Sequence, residues 1–198
     1  MQYQWDKTKG RYYNPATGRP VSWPRVKQAL DQVIDGSRAH VEQVSLQLVR
    51  GKITTAEWRE IMAREMKSMH IASTIIARGG QDRMGAVEYG RVGGRLHSQY
   101  AYLDRFVQQI ENGVQSLDQR LVSRALQYSN ATRGTYESQR RANMREDGYT
   151  LERRVLHGLE HCDECAALAR LGWQPIGSLP GIGDADCRAN CRCTFEYR

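Results

Sequence analysis

The residues able to do chemistry sit close together near one end of the chain. Cys162-Asp163-Glu164-Cys165 is a C-x-x-C pair, and Cys191-Arg192-Cys193 is a C-x-C pair. A fifth cysteine, Cys187, and His161 lie beside them. Structural zinc takes four nitrogen or sulfur ligands in a tetrahedron, with thiolates at about 2.3 Å from the metal. A C-x-x-C turn supplies two thiolates from one tight loop. A C-x-C pair on an extended segment puts two more on one face, because strand side chains alternate. The predicted ligand set is therefore Cys162, Cys165, Cys191 and Cys193, with Cys187 and His161 in reserve. Two disulfides with one thiol left over, or five free thiols, are the alternatives. Thiols made in a cytoplasm start reduced, which favours metal; a particle released from the cell would later meet oxidising conditions.

The stretch between the two pairs holds Gly172-Trp173, Pro175, Gly177, Pro180-Gly181 and Gly183. This is loop chemistry, too sparse in apolar groups to hold its shape unaided. A bound zinc supplies on the order of 10 kcal/mol of folding energy to such segments. A catalytic zinc would keep an open position beside a general acid or base. Glu164 is near, but its order and spacing differ from the deaminase pattern, in which the glutamate lies two residues after a ligand histidine. His40, His70 and His97 fall in helical segments and read as core or surface residues. There is no G-x-S-x-G elbow. Gly90-Arg91-Val92-Gly93-Gly94 lacks both the Walker lysine and a preceding strand. No catalytic residue is assigned, and a non-enzyme is expected.

Arginines recur at positions 133, 140, 141, 145, 153 and 154, interleaved with Glu137, Glu146, Asp147 and Glu152. That alternation favours a salt-bridged solvent face over an anion site. Arg188, Arg192 and Arg198, beside the cysteine pair, point more towards nucleic acid, though without a finger-type recognition helix.

The elements that would carry these residues are mostly helices. Residues 1–23 predict a short β element, with Tyr3, Trp5, Tyr12 and Tyr13 around the turn signals Lys9-Gly10 and Asn14-Pro15-Ala16-Thr17-Gly18. Ser22 then caps a helix with Pro24 in its first turn. Its stripe runs from Val26 through Val33 and Ile34, is broken or bent at Gly36, and resumes through Val41, Val44 and Leu48. Thr54-Thr55-Ala56-Glu57 is a capping box. It opens a second helix with Trp58, Ile61, Met62, Met66, Met69 and Ile76 buried, closed by Gly79-Gly80. A third helix spans about 84–112, with Leu103, Phe106 and Ile110 inward; Gly90, Gly93 and Gly94 in it ask for a bend or a close helix crossing. Ser116, with Gln119 three residues on, caps a fourth that becomes arginine-rich towards Arg145. Thr150 starts a short helix through Leu151, Val155 and Leu156.

The 198 residues carry a formal charge of +7, with 40% hydrophobic and 26% charged residues. That is neither a disordered composition nor a membrane one. No apolar run approaches the roughly 18 residues of a membrane span, and Met1-Gln2-Tyr3-Gln4-Trp5-Asp6 lacks the pattern of a secretory signal. A basic balance favours an anionic partner. The predicted fold class is mainly α: an elongated helical domain (24–148), a short N-terminal β element (1–23) and a small C-terminal Cys-rich, zinc-knuckle-like module (149–198).

A helical body followed by Cys162-Asp163-Glu164-Cys165, a Gly/Pro-rich stretch and Asn190-Cys191-Arg192-Cys193 resembles the Mu F-like minor head proteins of tailed bacteriophages, also termed head morphogenesis proteins. The family's last motif reads His-Pro, one variable residue and C-R-C; here Arg188-Ala189 stands for His-Pro, and Cys187 is added. The resemblance implies a virion structural protein without enzymatic activity, assembled in the host cytoplasm, acting near the portal within a multi-copy assembly. Its implied partners are other virion proteins (portal, capsid or neck) and packaged DNA, with no membrane. A head-to-tail connector of the neck is the alternative in the same class, and a zinc-stabilised nucleic-acid-binding protein the alternative in another. The cysteine module is then expected to act as a docking knob, with Trp173, Ile176, Leu179 and Ile182 as contacts.

Overall fold

A computed structural model describes residues 3–6, 8–158 and 160–198. The organising element is the helix over Thr55–Arg78 (α2). Its capping box forms as its sequence dictates: Thr54 Oγ1 accepts from the Glu57 N–H at 3.2 Å, and Glu57 Oε2 accepts from the Thr54 N–H at 2.7 Å. Trp58, Met62, Met66 and Met69 then fall at helical spacing and are fully buried. Three further helices pack around this stripe: Trp23–Val49 (α1), Ala86–Glu111 (α3) and Gln119–Glu146 (α4). Val41, Val44 and Leu48 come from α1, Leu103, Phe106, Val107 and Ile110 from α3, and Leu121 and Ala125 from α4. Trp58 meets Phe106 edge to face at 5.3 Å and donates its Nε1–H to Ser45 Oγ at 3.1 Å. Ile61 is only partly buried, on the flank of this core.

Several expected breaks do not occur. α1 runs unbroken through Gly36, and α3 through Gly90, Gly93 and Gly94, where an added Cβ would meet nothing within 4 Å. The close crossing lies instead at Gly134 of α4. A Cβ there would sit 2.5 Å from the Ile182 carbonyl oxygen and 2.8 Å from Arg95 Nη2. α4 is capped by Asp118 rather than Ser116; the Asp118 side chain accepts from the Arg120 N–H at 2.8 Å. Ser22 does occupy the α1 cap position, but its side chain makes no capping bond.

The N-terminal β element is a three-stranded antiparallel meander, Gln4–Asp6 (β1), Arg11–Tyr13 (β2) and Pro20–Val21 (β3). Its aromatics cover the ends of α1 and α2. Gly79 ends α2 in the left-handed conformation (φ 87°), which lets the Tyr3 N–H donate to its carbonyl at 2.7 Å, and the Tyr3 hydroxyl donates to Ile76 O.

The predicted short helix after Thr150 is a strand, Leu151–Val155 (β4). It is the centre of an antiparallel sheet between Gln174–Pro175 (β5) and Thr194–Tyr197 (β6), in register from Glu152↔Tyr197 to Val155↔Thr194. The spacing of Leu151, Val155 and Leu156 imitates a helical stripe. The inward residues are in fact the alternating charged pair Glu152 and Arg154, 0% and 3% exposed. Beyond this strand, the helix Asp163–Arg170 (α5) and a 3-10 turn at Arg188–Asn190 complete the C-terminal module. Among the described residues no helix is long and apolar enough to cross a membrane.

Candidate metal centre

Two backbone devices bring the cysteines together. Cys162 is the N-cap of α5, and its Sγ accepts from the Cys165 N–H at 3.4 Å, so the C-x-x-C pair is the first turn of a helix rather than a free loop. A helix N-terminus carries partial positive charge, which favours thiolates there. Opposite, Cys187 opens the 3-10 turn and Cys191 closes it, with Cys193 leading into β6. Arg188 takes φ 45° between them, the left-handed region in which few non-glycine residues sit.

All five sulfurs converge. Cys165 Sγ lies 3.5 Å from Cys187 Sγ and 3.8 Å from Cys191 Sγ. Cys162, Cys165 and Cys187 form one group of ligand atoms within 4.8 Å of one another, and Cys165, Cys191 and Cys193 form a second. Thiolates at about 2.3 Å around a tetrahedral ion stand about 3.8 Å apart. The cluster therefore has the donor set and spacing to hold a metal ion. All five cysteines are free thiols; the 3.5 Å pair is well beyond the roughly 2.05 Å of a disulfide bond. The four predicted ligands are all present, and Cys187, held in reserve, is 3.5 Å from the hub at Cys165, closer than Cys191 at 3.8 Å. His161 is in neither group; its Nε2 is 3.1 Å from Gly158 O. Glu164 is engaged as well, accepting from the Asp186 N–H at 2.8 Å.

So many thiols cannot ionise side by side unaided. The bond from Cys193 drives the Cys191 thiol down to about 4, and the same bond drives Cys193 up. Burial pushes up Cys165 and Cys187. At Cys162 burial acts upwards too, but the Cys165 N–H and thiol bring it net below the ordinary value. A divalent cation removes that conflict by stabilising several thiolates at once. Arg154 already supplies one positive charge: its Nη1 is 3.5 Å from Cys165 Sγ and 3.8 Å from Cys191 Sγ. Its Nη2 donates to Pro180 O at 2.6 Å and Gly181 O at 3.2 Å, which fixes the Gly/Pro-rich loop over the cluster.

Arg140 and Arg141 of α4 are largely covered and not on a solvent face, while Arg145 is exposed. Arg140 Nη1 donates to Phe195 O at 2.9 Å, Arg141 Nη2 to Leu179 O at 3.1 Å and Arg145 Nη2 to Ile176 O at 3.0 Å. Arg141 Nε also lies 2.8 Å from Glu152 Oε2, an ion pair without hydrogen-bond alignment. These side chains fasten the cysteine module to the helical body. Leu179 and Ile182, expected as outward contacts, are buried with Ala185, Phe195 and the cysteines in the module's own core. Ile176 is partly buried, and Trp173 lies under Arg153 at 4.8 Å. The glycines and prolines of the loop turn those aliphatic groups inward.

Sequence reasoning singled out Arg154 and the arginines of α4 but read them as a salt-bridged solvent face, and so missed their place between the cysteines and the helical body. The available signal was the alternation of Glu152 and Arg154 on a segment that follows α4, whose last two turns carry Arg140, Arg141 and Arg145. Comparison of the chain with family models, with curated proteins and with solved structures gives no match in any of the three.

Proposed function

We propose that this chain is a non-enzymatic, zinc-stapled structural component of a tailed-bacteriophage particle, a minor head protein acting near the portal. The observation that carries the reading is the convergence of Cys162–Cys165 and Cys191–Cys193, the two motifs of the resemblance, on two partly to fully buried thiol groups that share Cys165. An all-sulfur set of this spacing suits zinc, and a closed four-thiolate site is structural rather than catalytic. Cys165 belongs to both groups and ligates in any arrangement. The ligand set read from the sequence, Cys162, Cys165, Cys191 and Cys193, draws on both groups, and Cys187, 3.5 Å from Cys165, is a fifth donor within reach. Bound there, zinc locks the module against α4 and presents the whole as one rigid unit to neighbouring virion proteins. Elemental analysis of the purified protein tests the metal, with about one zinc per chain expected; absence of zinc together with disulfides among these residues by mass spectrometry refutes it. Quantification of the chain in purified phage particles tests the role, and absence from particles refutes it.

A further inference from the structure

α3 touches α4 far less than α2 does, and the two leave a groove of about 760 Å³ closed at one end by the loop after Ile182. Five arginines line it: Arg95 and Arg105 from α3, Arg124 and Arg133 from α4, and Arg188 from the cysteine module. Among the described residues Asp184 is the only carboxylate in the lining, and it pairs with Arg95 at 3.3 Å. Arg133 is paired outside the lining, with Asp31 at 3.1 Å. Arg105, Arg124 and Arg188 face no carboxylate among the described residues. Arg124 is braced by two glutamine oxygens, at 2.5 Å from Gln109 and 3.2 Å from Gln115, and lies 3.9 Å above the Phe106 ring. Arg188 is presented by the left-handed turn between Cys187 and Cys191. At the rim, Tyr102 is 52% exposed, with the Arg105 guanidinium 4.7 Å from its ring centroid.

We propose that this groove binds the phosphodiester backbone of nucleic acid. Unpaired guanidiniums held at fixed points along a groove are the donor arrangement that phosphate oxygens accept. An acidic peptide would be a poorer match: the open aromatic face at Tyr102 is a platform for a base, which such a peptide lacks. The proposal stands on the groove's own residues and not on the virion reading. It also gives the cysteine cluster a second consequence, since the turn that carries two of the thiols aims Arg188.

Fluorescence anisotropy on the full chain, with labelled single-stranded and duplex DNA oligonucleotides, tests it. Three arginine–phosphate contacts give a log–log salt slope of about −2 for single strands and about −3 for duplex, so affinity falls about 20- to 40-fold between 50 and 200 mM salt. Arg105→Gln with Arg124→Gln and Arg188→Gln should flatten that slope. The triple change Arg11→Gln, Arg19→Gln and Arg25→Gln, outside the groove and equal in charge, should leave it intact. Because Arg124 also packs on Phe106, the double change of the exposed Arg105 and Arg188 serves as a second variant, with slope reduced by about two contacts. Loss of affinity in Tyr102→Ala for single strands identifies a stacked base; an effect confined to the arginines identifies duplex. An unchanged salt slope in both groove variants, equal loss in the control, or polyglutamate binding as tightly as DNA overturns the proposal.

Discussion

Replacing Glu152 with glutamine removes one charge and almost no volume, at a side chain with no solvent exposure. In the folded protein Glu152 Oε2 is 2.8 Å from Arg141 Nε, and Oε1 accepts from the Leu179 N–H at 3.3 Å. Arg141 is itself mostly covered, so it is left desolvated and uncompensated. Breaking a buried pair in this way costs about 3–5 kcal/mol, whereas converting both partners to apolar residues is often close to neutral. The same strand holds its own control. Arg153 and Glu196 pair at 2.7 Å across β4 and β6, but each is about half exposed, 46% and 49%, so Glu196→Gln should cost less than about 1 kcal/mol. Urea unfolding followed by circular dichroism, on Glu152→Gln, Arg141→Met, and the Glu152→Leu/Arg141→Met pair, gives the comparison. In a chain of this size each kcal/mol lowers Tm by about 2–4 °C, so Glu152→Gln should lose about 6–20 °C. The double replacement should recover most of that. If Glu152→Gln and Glu196→Gln cost the same, the ion pair between α4 and the module is not what fastens them.

Further outcomes follow from the packing. Gly134→Ala should destabilise by about 1–3 kcal/mol, because its Cβ meets the Ile182 carbonyl at 2.5 Å, while Gly90→Ala, in open space on α3, should stabilise by about 1 kcal/mol; thermal melts of the two check the contrast. His70 is buried, with Nδ1 2.6 Å from Thr135 Oγ1; burial, and then Arg95, lowers its pKa from 6.5 to about 4. The unfolded chain therefore binds the extra proton between those values, and stability falls as pH drops from about 6.5 to 4, by roughly 3 kcal/mol in total. Urea midpoints across that range should show a shallower decline in His70→Gln than in the parent. Cys165→Ser, which removes the sulfur shared by both groups, should abolish metal retention while circular dichroism still reports the four long helices; bound metal equal to the parent would refute the hub assignment.

Helices α1 to α4 were legible because each carries one apolar stripe at helical period; of their starts the Thr54–Glu57 box was read correctly, whereas α4 is capped by Asp118 and not by Ser116. The cysteine cluster was legible because thiols at short spacing have few other uses. The fold around the cluster was not. β4 buries Glu152 and Arg154 and leaves Leu151 and Val155 half covered, so reading apolar residues as inward gave the wrong period. Arg140 and Arg141 alternate with acids, as a solvent-exposed helix does, and only the folded-back module makes them interior groups. Cys187 seemed surplus beside two regular pairs. Its place next to Cys165 depends on the turn at Arg188–Asn190, for which the local residues give no clear signal.

The sheet that flanks the cysteines also sets an order of events. The helical body is built from bonds four residues long within each helix, with α1, α2 and α3 packing in sequence and α4 returning to lie on α1 and α2. β4 has no such local partner on one side: it must wait for β6, with Val155 meeting Thr194. Until then Glu152 and Arg154 stand in water, where they are at no disadvantage, and the thiols of α5 have only each other. Closure of β6 desolvates the charges and completes the cluster in one step. On a ribosome, α1 to α4 emerge before β6, so a metal ion held by all of these thiols would be captured only after the helical body has been made.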